Sequence, residues 1–589
     1  MKRSLKTAAV TSMGLALASF APDSAISPAL LDLLDPGRIA ENTCDGGRDS
    51  APLMQRLLIS TAVAAPASTG RTIPLYDDLT RSGFPVSTGD PQAQRYFNQG
   101  LTLAYGFNHA GAVRSFREAQ RLDPGCAMCW WGEAVALGPN INVPMDERDR
   151  PAALAAMDRA MALRGTVTPV ERALIEAVAK RYSRDPAADR AALDATYADA
   201  MIETARRFPA QDDVAVLAAE AAMDTTPWNY WQADKKTPIG RSGEAVRLVE
   251  TVIGRNPQHA QAAHLYIHLL EASDPKRAEA AADRLDAPLV PSAGHLVHMP
   301  GHIYQVLGRQ ADSIRTNVAA ARADETYIRD AGDNGLVRYG YYPHNVHFIV
   351  TSAQMAGDMG TAIREAQRLR TLLDTETSAR IAWFQAVDAA PYFAMAQFAA
   401  PADILALPAP DARLAYATGM HHYARAVAQA QRKDRAGFDR ELAAMAATKA
   451  SPAMAEMVAQ GMPAPDLLTL ADHVARGRLA VASGRYGEAA EHYRQAIAIE
   501  QRIPYQEPPY WYFPVSQSLG AALYMDRRYA EAGAAFRAAL VQTPNNAWAL
   551  YGLAQAEEAQ GHAAEAAAAR QAFSRAWLGD PQWLRMERL

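Results

Sequence analysis

The sequence predicts an all-α, right-handed helical solenoid with irregular loop insertions, on three observations. The chain repeats itself every 34 residues near its C-terminus, no stretch alternates with period two, and 589 residues exceed what one ordinary core holds. At roughly 150 residues per domain the chain would need three or four separate cores, unless it grows by stacking. Composition agrees with stacking. Hydrophobic residues at 49% and charged residues at 21% exclude wholesale disorder, and 36 Gly with 36 Pro exclude a collagen-like or low-complexity chain. Lys and Arg number 59 against 64 Asp and Glu, so a net charge of −5 gives no general electrostatic reason to bind nucleic acid or an anionic membrane, and neither is expected as a partner.

Taken in chain order, Lys2, Arg3 and Lys6 precede an apolar stretch from Ala8 to Phe20 and small residues up to Ala25. This reads as a secretory signal over residues 1–25, followed by a poorly ordered leader over 26–75. The apolar run is shorter than the ~20 residues a spanning helix needs, and nothing later reaches that length. The expectation is therefore an exported protein, periplasmic or secreted, without a membrane span. An N-terminal array over 76–345 and a C-terminal array over 346–589 make up the remainder as one continuous solenoid.

Of three cysteines, Cys44 lies in the leader, and Cys126 with Cys129 forms a Cys-x-x-Cys pair. Trp130 follows where c-type haem attachment requires histidine, so that cofactor is excluded. Two readings of the pair stand: a redox-active disulfide at a helix start, where the macrodipole lowers a thiol pKa, or Cys129 filling the small-residue slot before Trp130.

The repeat itself is clearest in the segment 484–500, GRYGEAAEHYRQAIAIE, which carries Gly, an aromatic two later, Ala five later, an aromatic nine later and Ala twelve later. Arg527 holds the glycine slot before Tyr529, Ala532, Phe536, Ala539 and Pro544, and Gly561 opens the next unit 34 residues on. The same grammar recurs at Phe107, Ala112, Phe116, Ala119 and Pro124, and again at Gly240, Gly308 and Gly357. Small residues let paired helices approach, aromatics fill the gap, and proline stops the second helix. This pattern resembles the tetratricopeptide repeat (TPR) over most of residues 90–580. Insertions interrupt it at about 138–165, 225–239, 325–342, 399–412 and 502–515, and their Pro and aromatic content suits loops that fold onto the inner surface.

Eight of the 14 histidines fall between His259 and His347. Counted from Pro257, offsets 7 and 11 give His264 and His268; from Pro291, offsets 4, 7 and 11 give His295, His298 and His302; from Gly340, offsets 4 and 7 give His344 and His347. Steps of three and four share one face of a helix. The TPR resemblance implies that this face of the first helix in each repeat lines the inner groove, so that three adjacent helices aim their imidazoles at one place.

Neutral imidazole suits copper, iron, zinc and nickel, and seven rings exceed the needs of one ion, so a dinuclear or larger centre is expected. Nitrogen ligation without thiolate ranks copper first as cofactor, with iron or zinc next. Glu220, Glu271 and Asp224 lie on the same faces as candidate ligands, partners orienting ligands, or proton acceptors. Of Tyr266, Tyr304, Tyr341 and Tyr342, Tyr304 is singled out with Glu220 and Glu271 as catalytic. The chemistry implied is a metal-dependent oxidoreductase using dioxygen and a small organic, such as phenolic, substrate in the groove. The alternatives are a non-enzymatic scaffold whose groove binds a peptide or partner protein, and a metal storage or delivery protein. The segment HLVHMPGHIY resembles one in a group of exported bacterial TPR proteins, and no activity is carried over from it.

Inside that segment, Pro300 and Gly301 predict a helix starting near Met299, with His295 and His298 displaced onto the entry segment. Pro343 predicts a helix start that fixes His344.

Overall fold

The computed structural model describes Leu30 and residues 72–80, 83–287 and 289–589. The expected signal and most of the expected leader, with Cys44, lie outside these residues. Among the described residues there is no strand, only an isolated bridge between Trp231 and Pro238. No helix among them is long and apolar enough to cross a membrane.

The helices pair into antiparallel hairpins that stack in chain order. Pro91–Tyr105 packs on His109–Leu122, Ala260–Leu270 on Pro275–Asp286, Tyr342–Ala356 on Met359–Leu372, Ala464–Ala482 on Tyr486–Glu500, Val515–Met525 on Tyr529–Gln542, and Ala547–Ala559 on Ala563–Ala576. The repeat grammar has a direct cause. The fully buried ring of Phe536 sits between Gly520 and Gly552, where a Cβ would lie 2.8 and 2.3 Å from it. Phe116 is held in the same way between Gly100 and Gly132. In these two hairpins an aromatic on the second helix thus wedges between small residues on two successive first helices, which sets the stacking distance there.

The solenoid folds back on itself. From the N-terminal side, Ser292 N–H donates to Asp78 (2.7 Å) and the Tyr105 hydroxyl donates to Asp213 (2.7 Å). From the C-terminal side, Trp548 Nε1 donates to the Gln354 carbonyl (2.8 Å), and Gly308, at φ +72, packs so close to the Pro544 carbonyl that an added Cβ would clash with it. Both ends therefore pack against the histidine-bearing hairpins. Of the rings that the repeat frame placed along an open groove, six are consequently buried and His344 is half-buried.

Candidate metal centre

Three consecutive first helices carry the seven histidines. Ala260–Leu270 holds His264 and His268; the paired short helices Gly294–His298 and Pro300–Val306 hold His295, His298 and His302; Tyr342–Ala356 holds His344 and His347. Pro300 does not displace His295 and His298 as expected. Met299 stays in the right-handed helical region (φ −53, ψ −38), so the spacing of four between His298 and His302 keeps both rings on one face. Pro343 sits in the first turn of its helix, as expected, with His344 next.

Six of the seven rings converge. Ligand nitrogens of His264, His268 and His295 lie within 4.8 Å of one another, as do those of His298, His302 and His344. The two triads adjoin, with ring centroids 5.9 Å apart for His268 and His302 and 6.0 Å for His295 and His298. A tetrahedral ion with bonds of about 2.0–2.1 Å needs nitrogens roughly 3.3 Å apart, which small ring rotations supply. Phe107 lies against the first triad, 4.6 Å from His264 by ring centroids, and Phe348 against the second, 4.9 Å from each of its rings.

The free nitrogens are the decisive feature. His264 Nδ1 is 2.9 Å from Gln261 Oε1 and His268 Nδ1 is 2.9 Å from Glu271 Oε1, so each Nδ1–H has an acceptor and each Nε2 is left as a lone pair. Both Nε2 atoms are buried without a partner, as are both nitrogens of His295 and Nδ1 of His344. In the second triad, Asn317 Oδ1 accepts from His298 Nδ1 (2.6 Å), and Asn317 is oriented by its own Nδ2 donating to the Ser313 carbonyl (2.8 Å). The carboxylate or amide behind Nδ1 of His264, His268 and His298 fixes the tautomer and turns the other nitrogen inward, the arrangement usual for metal-bound histidines.

Burial, aided by neighbouring imidazoles, pushes His264, His268, His295, His298 and His344 well below the usual histidine range. At neutral pH these five rings present lone pairs rather than protons. His302 differs. Burial opposes its charge, but Glu507 and Glu271 outweigh burial and raise it to about 10. Its Nδ1 lies 2.5 Å from Glu507 and 2.7 Å from Glu271, and its Nε2 lies 2.7 Å from His298 Nε2. The proton on that Nε2 occupies the position an ion would take. Glu507 itself is raised to about 7, by burial and then by Glu271.

The other sequence candidates divide. Glu271 is in the centre, touching one ring of each triad. Glu220 is one residue removed: it accepts from Gln261 Nε2 (2.9 Å), which orients His264, and burial raises it to about 7. Asp224 instead pairs with the buried Arg181 (2.7 Å). His347 stands outside both triads and bonds the Tyr512 hydroxyl through Nε2. Tyr304 is turned away, its hydroxyl donating to Asp283 (3.0 Å) beneath Arg309, because two residues beyond His302 is about 200° round the helix. Tyr266 and Tyr342 likewise donate outward, to Glu250 and Glu325. Of the four tyrosines only Tyr341 reaches the cluster, stacked 4.5 Å from His295.

Three of the five expected insertions fold onto the cluster. Residues 225–239 place Trp228 5.0 Å from His268 by ring centroids, 325–342 supply Tyr341, and 502–515 supply Glu507 and Tyr512. Glu507 and Phe107 are additions that sequence reasoning did not find. Cys126 and Cys129 are joined as a disulfide at the start of the helix Ala127–Ala136, both fully buried.

No protein-family model matches the chain, and no curated protein matches it. Among solved structures, human IFIT1 as a dimer with m7Gppp-AAAA is similar over 93% of this chain and 98% of its own, at 11% identity and a TM-score of 0.29. The P58(IPK) TPR domain is similar over 80% and 98%, at 14% identity and 0.21, and the APC/C hetero-tetramer Cut9–Hcn1 over 83% and 90%, at 14% and 0.26. Likeness at this level says nothing about function. By its own 34-residue hairpins and their glycine–aromatic–glycine wedges, the chain has an all-α, TPR-type solenoid fold.

Proposed function

We propose that this chain holds two transition-metal ions, one per histidine triad, and works as an exported oxidoreductase that passes electrons from a small organic molecule to dioxygen. The observation that carries the reading is the set of buried imidazole nitrogens without partners, each backed by an acceptor on the opposite nitrogen where one is present. A binding scaffold is what the TPR-type fold supplies by itself; the triads give that scaffold its chemistry. Copper is favoured because six imidazoles and no thiolate suit Cu(II), with iron or zinc next. The buried Cys126–Cys129 disulfide is in keeping with an oxidising compartment, periplasmic or extracellular.

Bound copper would supply the redox chemistry. The protein's own part is to hold neutral rings in place, exclude bulk water with Phe107, Phe348 and Trp228, and keep a proton between His302 Nδ1 and the carboxylates of Glu271 and Glu507. Glu507, bonded to His302 and raised by burial, is the group placed to take or give that proton. For an o-diphenol, two molecules each give up two electrons and two protons, and one dioxygen takes up all of them and leaves as two waters.

The test is dioxygen uptake by copper-loaded protein with 4-methylcatechol. Uptake above a free-copper control, abolished by His298→Ala, supports the proposal; uptake no greater than the control overturns it. The burial of five of the six rings, with His344 half-buried, also suits metal storage, which predicts tight copper with no turnover.

A further inference from the structure

The segment that delivers Glu507 and Tyr512 also walls a cavity of about 170 Å³. Opposite walls come from Gln305 and Val306, one turn beyond His302, and from Thr351 and Met355, on the helix of His344. Gln305 Nε2 donates to Thr351 Oγ1 (2.9 Å), tying the two walls together. Tyr512 lines the cavity and bonds His347, while Gln506 lines it beside Glu507, which touches His302. The cavity thus adjoins the second triad.

Its size and chemistry define an occupant. A cavity of about 150 Å³ takes benzene, so this one takes a single ring with small substituents. Tyr505, Trp511 and Phe513, with Pro504, Pro509 and Pro514, give it flat, stiff walls. Three buried polar atoms on its lining residues have no partner: Tyr505 Oη, Trp511 Nε1 and Gln310 Oε1. A ligand hydroxyl both accepts and donates, so it can answer either kind of atom once a rotation of these side chains opens them to the cavity. The lining includes the Glu500 carboxylate and no Lys, Arg or His, which disfavours an anion.

We infer that this cavity is the organic-substrate pocket of the metal centre and takes a neutral, single-ring phenol. Its role as a substrate pocket rests on the proposed metal chemistry; its binding of a phenol does not. The test therefore begins with the full-length, metal-free chain, titrated calorimetrically with 4-methylphenol and with 4-hydroxybenzoate, which adds a negative charge at similar size. The expected result is saturable one-to-one binding of 4-methylphenol, with 4-hydroxybenzoate at least about tenfold weaker. Val306→Trp, which fills the cavity from a half-buried position, should weaken 4-methylphenol at least tenfold. Gln310→Leu, which removes the acceptor and keeps the bulk, should weaken it about tenfold and serves if Val306→Trp fails to fold.

Absence of saturation, equal binding of the two probes, or unchanged binding in a folded variant would overturn the inference. In copper-loaded protein, Val306→Trp should lower 4-methylcatechol turnover without lowering copper content, and unchanged turnover would remove the pocket from the reaction. Phenol binding without metal uptake would sink the metal proposal alone, and metal uptake without phenol binding would sink the pocket alone.

Discussion

Glu271→Gln is the most informative single change, because one carboxylate serves both triads. Its Oε1 accepts from His268 Nδ1 (2.9 Å) and its Oε2 lies 2.7 Å from His302 Nδ1. Both ring nitrogens are donors when the opposite nitrogens face an ion; the carboxylate accepts from His268 and sets its second oxygen as a charge against His302, whose Nδ1–H is bonded to Glu507. Glutamine keeps the shape but has one accepting oxygen, so its NH₂ must oppose one of the two Nδ1–H groups. Loss of such an orienting partner costs about 10–100-fold in metal affinity, or about 1.4–2.7 kcal/mol. One site is therefore expected to weaken by that factor while the other stays within about threefold of wild type. Titration against a chromophoric chelator resolves the two affinities, and circular dichroism checks the fold. Asn317→Ala, which releases His298, should weaken only the second site, and Gln261→Ala, which releases His264, only the first. Two unaltered affinities in folded Glu271→Gln would refute the shared-carboxylate geometry.

Four further outcomes follow from the same geometry. His264→Ala and His298→Ala should each lower metal content by one equivalent while leaving the other triad loaded, since the triads share no ring; loss of all metal from either variant would mean a single joint site. His347→Gln should keep the full metal content, because His347 bonds Tyr512 outside both triads. Burial lowers His347 to about 3, so the unfolded chain binds a proton that the folded chain does not. Its contribution to stability is complete above an unfolded pKa near 6.5 and is lost as pH falls toward 3; urea unfolding of metal-free His347→Gln should lose roughly 2 kcal/mol less than wild type between pH 7 and 5, and an identical loss would count against the assignment. Gly552→Ala should destabilise by about 1–3 kcal/mol, because its Cβ would meet the Phe536 ring at 2.3 Å; unchanged thermal unfolding would show that the wedge tolerates repacking.

Much of this was legible in the sequence because both the fold and the ligands obey local periods. Glycine and aromatic slots recur with the repeat, and histidines three, four and 34 residues apart share a helical face or its equivalent one hairpin later. What escaped was set by distant chain. Glu507 reaches His302 from 205 residues away, and no local pattern marks it. Phe107 reaches His264 from the turn of the first described hairpin, in a left-handed conformation (φ 53) unusual for phenylalanine. Tyr304 was selected for nearness in sequence, but helical rotation carries it to Asp283. Asp224 shares a face with Glu220, yet the buried Arg181, 43 residues before it, takes it. Burial of the cluster likewise depends on terminal hairpins folding back, which a nearest-neighbour repeat does not encode.

Metal content measured on protein expressed in metal-replete medium bears most directly on all of this. Two equivalents of transition metal per chain, with an absorption-edge spectrum showing imidazole nitrogen as the dominant ligand, is the expected result, from two triads of three histidines each. Less than about 0.2 equivalents of every transition metal, in protein whose fold is intact, would contradict it.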